Sequence, residues 1–189
     1  MSRIVVTEFV SLDGVMEDPG GAEGTKNGGW TVNFERGPEG GKFKFDELMA
    51  ADALLLGRVT YQAFAAAWPS MGGDEFGDKM NGVPKYVVSS TLADSEATWG
   101  DTTVLRGDVV AGVTRLKSEP GSNLLVAGSS QLVHTLAEHG LVDEYRLMVF
   151  PIILGSGKRL FPDADVASEF TLTSHVAEGG TLLLTYQPA

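Results

Sequence analysis

Three features of the sequence predict an α/β fold built on a mostly parallel sheet. Aliphatic runs long enough for buried strands alternate with segments of helical spacing. Two of these runs, Leu54-Leu55-Leu56 and Leu124-Leu125-Val126-Ala127, stop at Gly57 and Gly128 and open a helix at once. The chain then finishes on two strand-like stretches around Glu178-Gly179-Gly180, the pattern of an antiparallel hairpin. The order βαβαβ with hairpin strands at its end implies helices on both faces and an antiparallel edge. A strand that ends in glycine and opens a helix leaves backbone N–H groups at the carboxyl edge of the sheet, where they can bind an anion. Two such turns in one small domain suit a ligand carrying more than one phosphate.

Composition narrows the classes of function. A chain of 189 residues with 43% apolar content reads as a single domain, residues 1–189, with enough material for a sizeable core. No stretch approaches the roughly 20 apolar residues of a membrane span, and no secretion signal is expected at the start. The absence of cysteine removes disulfides, thiolate metal sites and cysteine nucleophiles, and is compatible with a reducing cytoplasm. A net charge of −11 argues against nucleic acid as a partner, because neutralising phosphates along a strand needs a basic face. An anionic cofactor must then be held by backbone dipoles and a few placed cations.

Element by element, residues 3–10 read as a strand covered on both faces, followed by a glycine-rich loop over residues 13–41 that is long enough to be functional. Residues 43–51 have helical spacing with Phe43, Leu48 and Met49 facing the core. Residues 53–56 form a strand, 60–67 a helix, and 72–82 a second mobile loop. Short strands at 85–89 and 102–105 precede a helix over 109–117 that Pro120-Gly121 should stop. A strand at 124–127, a helix at 130–138 ended by Gly140, a strand at 144–150 and hairpin strands at 170–176 and 181–187 complete the pattern.

Several fragments in this order resemble the dihydrofolate reductase superfold, and within it the branch of the C-terminal reductase domain of bacterial riboflavin biosynthesis proteins. Ser11-Leu12-Asp13-Gly14 is similar to that branch's S-x-D-G. Gly57-Arg58 with Thr60-Tyr61 is closer to the G-R-x-T-[YW] of dihydrofolate reductases. Gly140-Leu141-Val142-Asp143-Glu144 and the run from Pro151 to Gly157 resemble the riboflavin branch, and Phe161-Pro162-Asp163 is similar to the F-P ending that this branch and the dihydrofolate reductases share. The resemblance covers almost the whole chain. It implies a stand-alone, NADPH-dependent reductase with a three-layer fold, a homodimeric state and a small-molecule substrate, with 5-amino-6-(5-phosphoribosylamino)uracil as the named activity. A pteridine-like or carbonyl substrate is the alternative, as is a non-catalytic nucleotide-binding module of the same fold.

The departures are informative. Taking Phe45 as the helix phenylalanine of dihydrofolate reductases, their pterin-orienting carboxylate falls on Gly41, and their proline-tryptophan motif is missing, so folate reduction is not expected. Gly128-Ser129 stands where the biosynthetic branch has Gly-Gly, and no deaminase-like segment precedes the reductase-like one.

The resemblance distributes the site as follows. Gly57, Arg58 and Thr60 would serve the dinucleotide pyrophosphate, although Arg58 could equally be a solvated turn residue. Ser89, Ser90 and Thr91 offer hydroxyls suited to a 2′-phosphate, with Arg106 ending the neighbouring strand; an ordinary polar turn fits as well. Gly128, Ser129 and Ser130 would approach the pyrophosphate and nicotinamide side, with a cis or strained peptide implied there. Gln131 would add a contact or a cap, and Gly155 joins the cofactor set. Asp13 either hydrogen-bonds substrate and passes on a proton, or forms an Asx turn with Gly14. Trp30 and Trp68, beside the two long loops, could stack on a planar substrate ring, unless they fill the core or loop bases. Lys158 and Arg159 line a ligand or a solvated loop. His134, His139 and His175 lack metal-site spacing, so no metal is expected.

Overall fold

The computed structural model describes residues 2–119, 123–162 and 167–189. It is built on one eight-stranded sheet with strand order β4-β3-β2-β5-β1-β6-β8-β7. β1 (Arg3–Ser11), β2 (Ala53–Gly57), β3 (Lys85–Val88), β4 (Thr102–Leu105), β5 (Asn123–Ala127) and β6 (Glu144–Phe150) run parallel. β8 (Thr181–Pro188) pairs antiparallel with β6 and with β7 (Phe170–Glu178), which forms the antiparallel edge expected from the sequence. Gly179 and Gly180, at φ +59° and +83°, make the two-residue turn whose twist matches paired strands.

Helices cover both faces. α1 (Gly37–Met49), α2 (Arg58–Ala67) and α3 (Glu75–Gly82) pack Leu48, Tyr61 and Met80 on one side of β2 and β3. α4 (Val109–Ser118) and α5 (Ser130–Glu138) pack Val113, Leu116, Leu132, Val133 and Leu136 against Ile4, Val6 and Val126 on the other. A third cluster joins Trp30, Met148, Phe150 and Leu183 under the long loop. Such double coverage is why the parallel strands are aliphatic nearly throughout.

Several local expectations need correction. Residues 72–82 are not a loop: Asp74 accepts the Gly77 N–H at 2.7 Å and caps α3, while Met80 is buried beneath it. Gly77 is glycine because a β-carbon there would overlap the Met71 carbonyl. The first helix begins at Gly37, not at residue 43. Glu178 at the hairpin tip accepts the N–H groups of Glu39 (2.6 Å) and Gly40 (3.3 Å), a cap supplied from far along the chain. α2 starts at Arg58, two residues early. α4 ends at Ser118, and the expected Pro120-Gly121 stop lies outside the described residues, as does Asp163.

Candidate functional site

The connections that leave β1 and β5 diverge to opposite faces. α1 follows β1 on one face and α5 follows β5 on the other, so a crevice opens between their carboxyl ends. That is where ligands bind in open α/β sheets. β1 pairs with β5 only as far as Thr7 with Ala127, and beyond that pair β5 turns away at Gly128.

The two glycine turns meet beside it, over the carboxyl ends of β2 and β5. Gly57 N donates to Ser129 Oγ at 2.9 Å, and Ser129 N donates to Thr60 Oγ1 at 3.0 Å. Ser129 Oγ donates in turn to the Ala127 carbonyl at 3.2 Å. Gly128 and Ser129 both take left-handed backbone angles, φ +58° and +62°. Glycine serves at 128 because a β-carbon would come within 2.9 Å of Thr60 Oγ1. Ser129 is a strained non-glycine residue in that region. Among the described residues no peptide is cis, so the strained alternative is the one present. The Gly57 and Ser129 amides, expected to face a ligand, are occupied by this interlock. The first-turn amides of α2 and α5 lie outside this interlock and could receive an anion, with Ser130 half-buried and Gln131 exposed at the head of α5. Arg58 is exposed at the head of α2, its guanidinium bonded to Gln62 Oε1 at 2.9 Å.

At the neighbouring edge, Ser89 does not present its hydroxyl outward. It is buried, and its Oγ accepts the N–H groups of Thr91 (3.1 Å) and Leu92 (2.9 Å). Ser90 and Thr91 are exposed. Arg106 binds the Leu92 carbonyl at 2.6 Å and pairs with Asp94 at 2.9 Å, so its charge is already matched. These groups fit a dinucleotide: two helix N-termini stand side by side with an arginine, and a turn of exposed hydroxyls lies beside a second arginine that could exchange Asp94 for a phosphate.

Asp13 does not form the expected Asx turn with Gly14. Its Oδ1 accepts from Ser11 Oγ (2.6 Å) and Leu154 N (3.1 Å), and its Oδ2 accepts from Gly155 N (2.8 Å). Gly14 N bonds the Ser11 carbonyl instead. The Ser11 hydroxyl foremost, then the Leu154 amide, draw the carboxyl down to about 2. A carboxylate so held is a clamp on the loop after β6 and a poor proton donor. Arg159 donates to the Asp13 carbonyl, and Lys158 pairs with Glu17 at 3.1 Å. Trp30, expected at the substrate, is a core residue with 4% exposure. Its Nε1 donates to the Glu17 carbonyl and its ring meets Phe150 edge-on at 5.4 Å. Trp68 packs against Phe76 at 5.7 Å.

Two acids in this region carried no expectation. Glu47 of α1 is buried, accepts the Thr7 hydroxyl at 2.7 Å and pairs with Lys44 and with Arg146, the latter at 3.5 Å. Glu8, in the middle of β1, is also buried. Burial pushes its carboxyl well above the usual range, Lys44 pulls it down, Glu47 pushes it up, and the Gly128 N–H pulls it down. The available signal was an acid on the core-facing side of an otherwise apolar strand.

Together these features define an open, doubly covered α/β protein with its crevice at the switch point between β1 and β5. The chain belongs to the RibD C-terminal domain family, whose model matches residues 2–184. It is 30% identical over 184 residues to the Bacillus subtilis (strain 168) protein YwjB, with 97% of each chain covered. It is also 30% identical over 169 residues to YyaP of the same organism, covering 85% of this chain and 81% of that one. Its fold is shared with a putative riboflavin biosynthesis protein from Shewanella sp. PV-4 (TM-score 0.76, 20% identity, 99% of both chains). A deaminase/5-amino-6-(5-phosphoribosylamino)uracil reductase from Thermotoga maritima also matches (TM-score 0.64, 15% identity, all of this chain and 57% of that one). Among the described residues no helix is long and apolar enough to cross a membrane.

Proposed function

We propose that the chain is an NADPH-dependent reductase of a pyrimidine-ribose compound resembling 5-amino-6-(5-phosphoribosylamino)uracil, working in the cytoplasm as a homodimer. The observation that carries this reading is the interlock of the Gly57 and Gly128 turns. It ties the N-termini of α2 and α5 together over the ends of β2 and β5, next to the switch point. Those two helix ends and Arg58 would hold the pyrophosphate, and Ser90, Thr91 and Arg106 the 2′-phosphate. The nicotinamide supplies the hydride when bound, while the protein orients the ring and excludes water. Membership of the family and the reductase named among the fold's relatives support the same class of chemistry.

Folate is disfavoured as substrate. Gly41, at the pterin-orienting position, is exposed, with open space where a β-carbon would stand.

Titration of the purified chain with NADPH and NADH, followed by cofactor oxidation with the pyrimidine as oxidant, tests the reading. Saturable binding with turnover is expected. Saturable binding without turnover, across pyrimidine, pteridine and carbonyl substrates, would reassign the chain as a nucleotide-binding module.

A further inference from the structure

Alternation along β1 puts Glu8 on the face of Ile4, Val6 and Val10, which otherwise packs against α4 and α5. Glu8 follows the last β1–β5 pair, so it lies alongside the Gly128 turn at the floor of the crevice. The Gly128 N–H is near enough to favour its charged form. The residue is 5% exposed, yet its Oε1 has no hydrogen-bond partner among the described residues. Glu47 Oε2 and Arg146 Nε share that description, but they face each other as an ion pair at 3.5 Å. Glu8 enters no ion pair among the described residues.

A buried carboxyl with an idle oxygen lowers stability and is costly to keep unless something binds it. Desolvation favours its neutral form. A neutral carboxyl sets an O–H donor beside a carbonyl acceptor, which is complementary to the N–H/C=O edge of an amide. Both partners of the proposed reaction carry such an edge: the nicotinamide carboxamide, and the ring amide of a uracil.

We propose that the Glu8 carboxyl is a ligand-binding group of the crevice, hydrogen-bonded to the amide edge of a bound ring supplied by the nicotinamide or by the pyrimidine substrate. The assignment rests on the reductase reading. It moves the ligand-facing acid from Asp13, whose oxygens are already engaged, to a residue whose oxygen is free.

Glu8→Leu and Glu8→Gln in the full chain test it. Each is melted and titrated with NADPH, with 2′-phospho-ADP-ribose (the same phosphates without nicotinamide), and with 5-amino-6-(5-phosphoribosylamino)uracil in the presence of NADP. Glu8→Leu should melt at or above the unmodified protein and bind 2′-phospho-ADP-ribose normally. It should lose about tenfold or more in affinity for NADPH if the nicotinamide is the partner, or for the pyrimidine if the substrate is. Glu8→Gln also offers a donor beside an acceptor and should stay within about threefold of the unmodified protein. If Glu8→Leu does not fold, Glu8→Met carries the same comparison. Failure of both to fold overturns the proposal, since a carboxyl required for folding is not idle. Normal binding of every ligand by Glu8→Leu overturns it too, as does equal loss of NADPH and its nicotinamide-free fragment. An unmodified protein that binds neither NADPH nor the fragment sinks the reductase reading itself, a distinct result.

Discussion

Ser129 Oγ accepts the backbone N–H of Gly57 at 2.9 Å, joining two strand-to-helix turns that lie 72 residues apart in the chain. Each turn is individually strained or open, and the hydroxyl fixes their separation. Ser129→Ala should therefore destabilise the protein by about 1–2 kcal/mol, the cost of an unpaired, half-buried amide. It should also weaken NADPH binding, because the heads of α2 and α5 lose their common anchor. Chemical denaturation and a fluorescence titration measure the two effects. Unchanged cofactor affinity would show that the two helix ends do not act together.

Cofactor preference depends on the turn after β3. The unmodified protein should prefer NADPH over NADH by at least about tenfold, from charge-assisted bonds to the 2′-phosphate. Asp94 competes for Arg106, so Asp94→Asn should raise NADPH affinity and leave NADH unchanged. Ser90→Asp should penalise NADPH selectively, and Arg58→Ala should weaken both cofactors. Parallel titrations decide the matter, and equal affinities in the unmodified protein would remove the 2′-phosphate from this turn.

Asp13 gives the protein a defined response to acid. Its carboxyl ionises near 2 in the folded chain, below its ordinary value of 3.8. The unfolded chain therefore binds more protons in that interval, and stability falls as pH falls through it. The contribution is complete above about pH 4 and lost towards about pH 2. Asp13→Asn should lower the melting temperature at neutral pH and flatten its dependence on pH below about 4. Limited proteolysis should cut its loop around Leu154 and Gly155 faster. A variant that melts like the original at neutral pH would deny Asp13 its clamping role.

β7 is the edge on which a second copy should pack. It exposes Phe170, Leu172 and Val176 and carries no lysine, arginine or proline, the residues that keep free edges apart. Light scattering should give about twice the chain mass at tens of micromolar, and Val176→Lys should halve it. A monomer in the unmodified protein would count against the dimer.

Much of the architecture was readable because it is local. The aliphatic runs that became β2 and β5, the bounds of β4, α5 and β6, and the glycine hairpin all depend on neighbours in sequence. The site was readable only in outline. Gly57 and Gly128 announced their turns, but nothing nearby said that Ser129 and Thr60 would consume two of the amides. The two readings of Asp13 stayed open because the amides that engage it come from Leu154 and Gly155, across the fold. Trp30 read as either a stacking platform or a core residue, and the contact with Phe150 that makes it core comes from across the fold. The glycines of residues 72–82 suggested mobility, whereas Gly77 answers a close approach by Met71 within an ordered helix.

The cap that Glu178 places on α1 has a consequence for the order in which the molecule can be made. The head of α1 is capped by a carboxylate about 140 residues later, which reaches the amides of Glu39 and Gly40. β1 likewise waits for β5 and β6, which belong to the second half of the chain. During synthesis the amino-terminal half must emerge with its central strand unpaired and its first helix uncapped, and long-range closures of this kind fold slowly. Closure of the β7–β8 hairpin is therefore expected to precede a fully capped α1, and shortening that hairpin should delay the opening elements most.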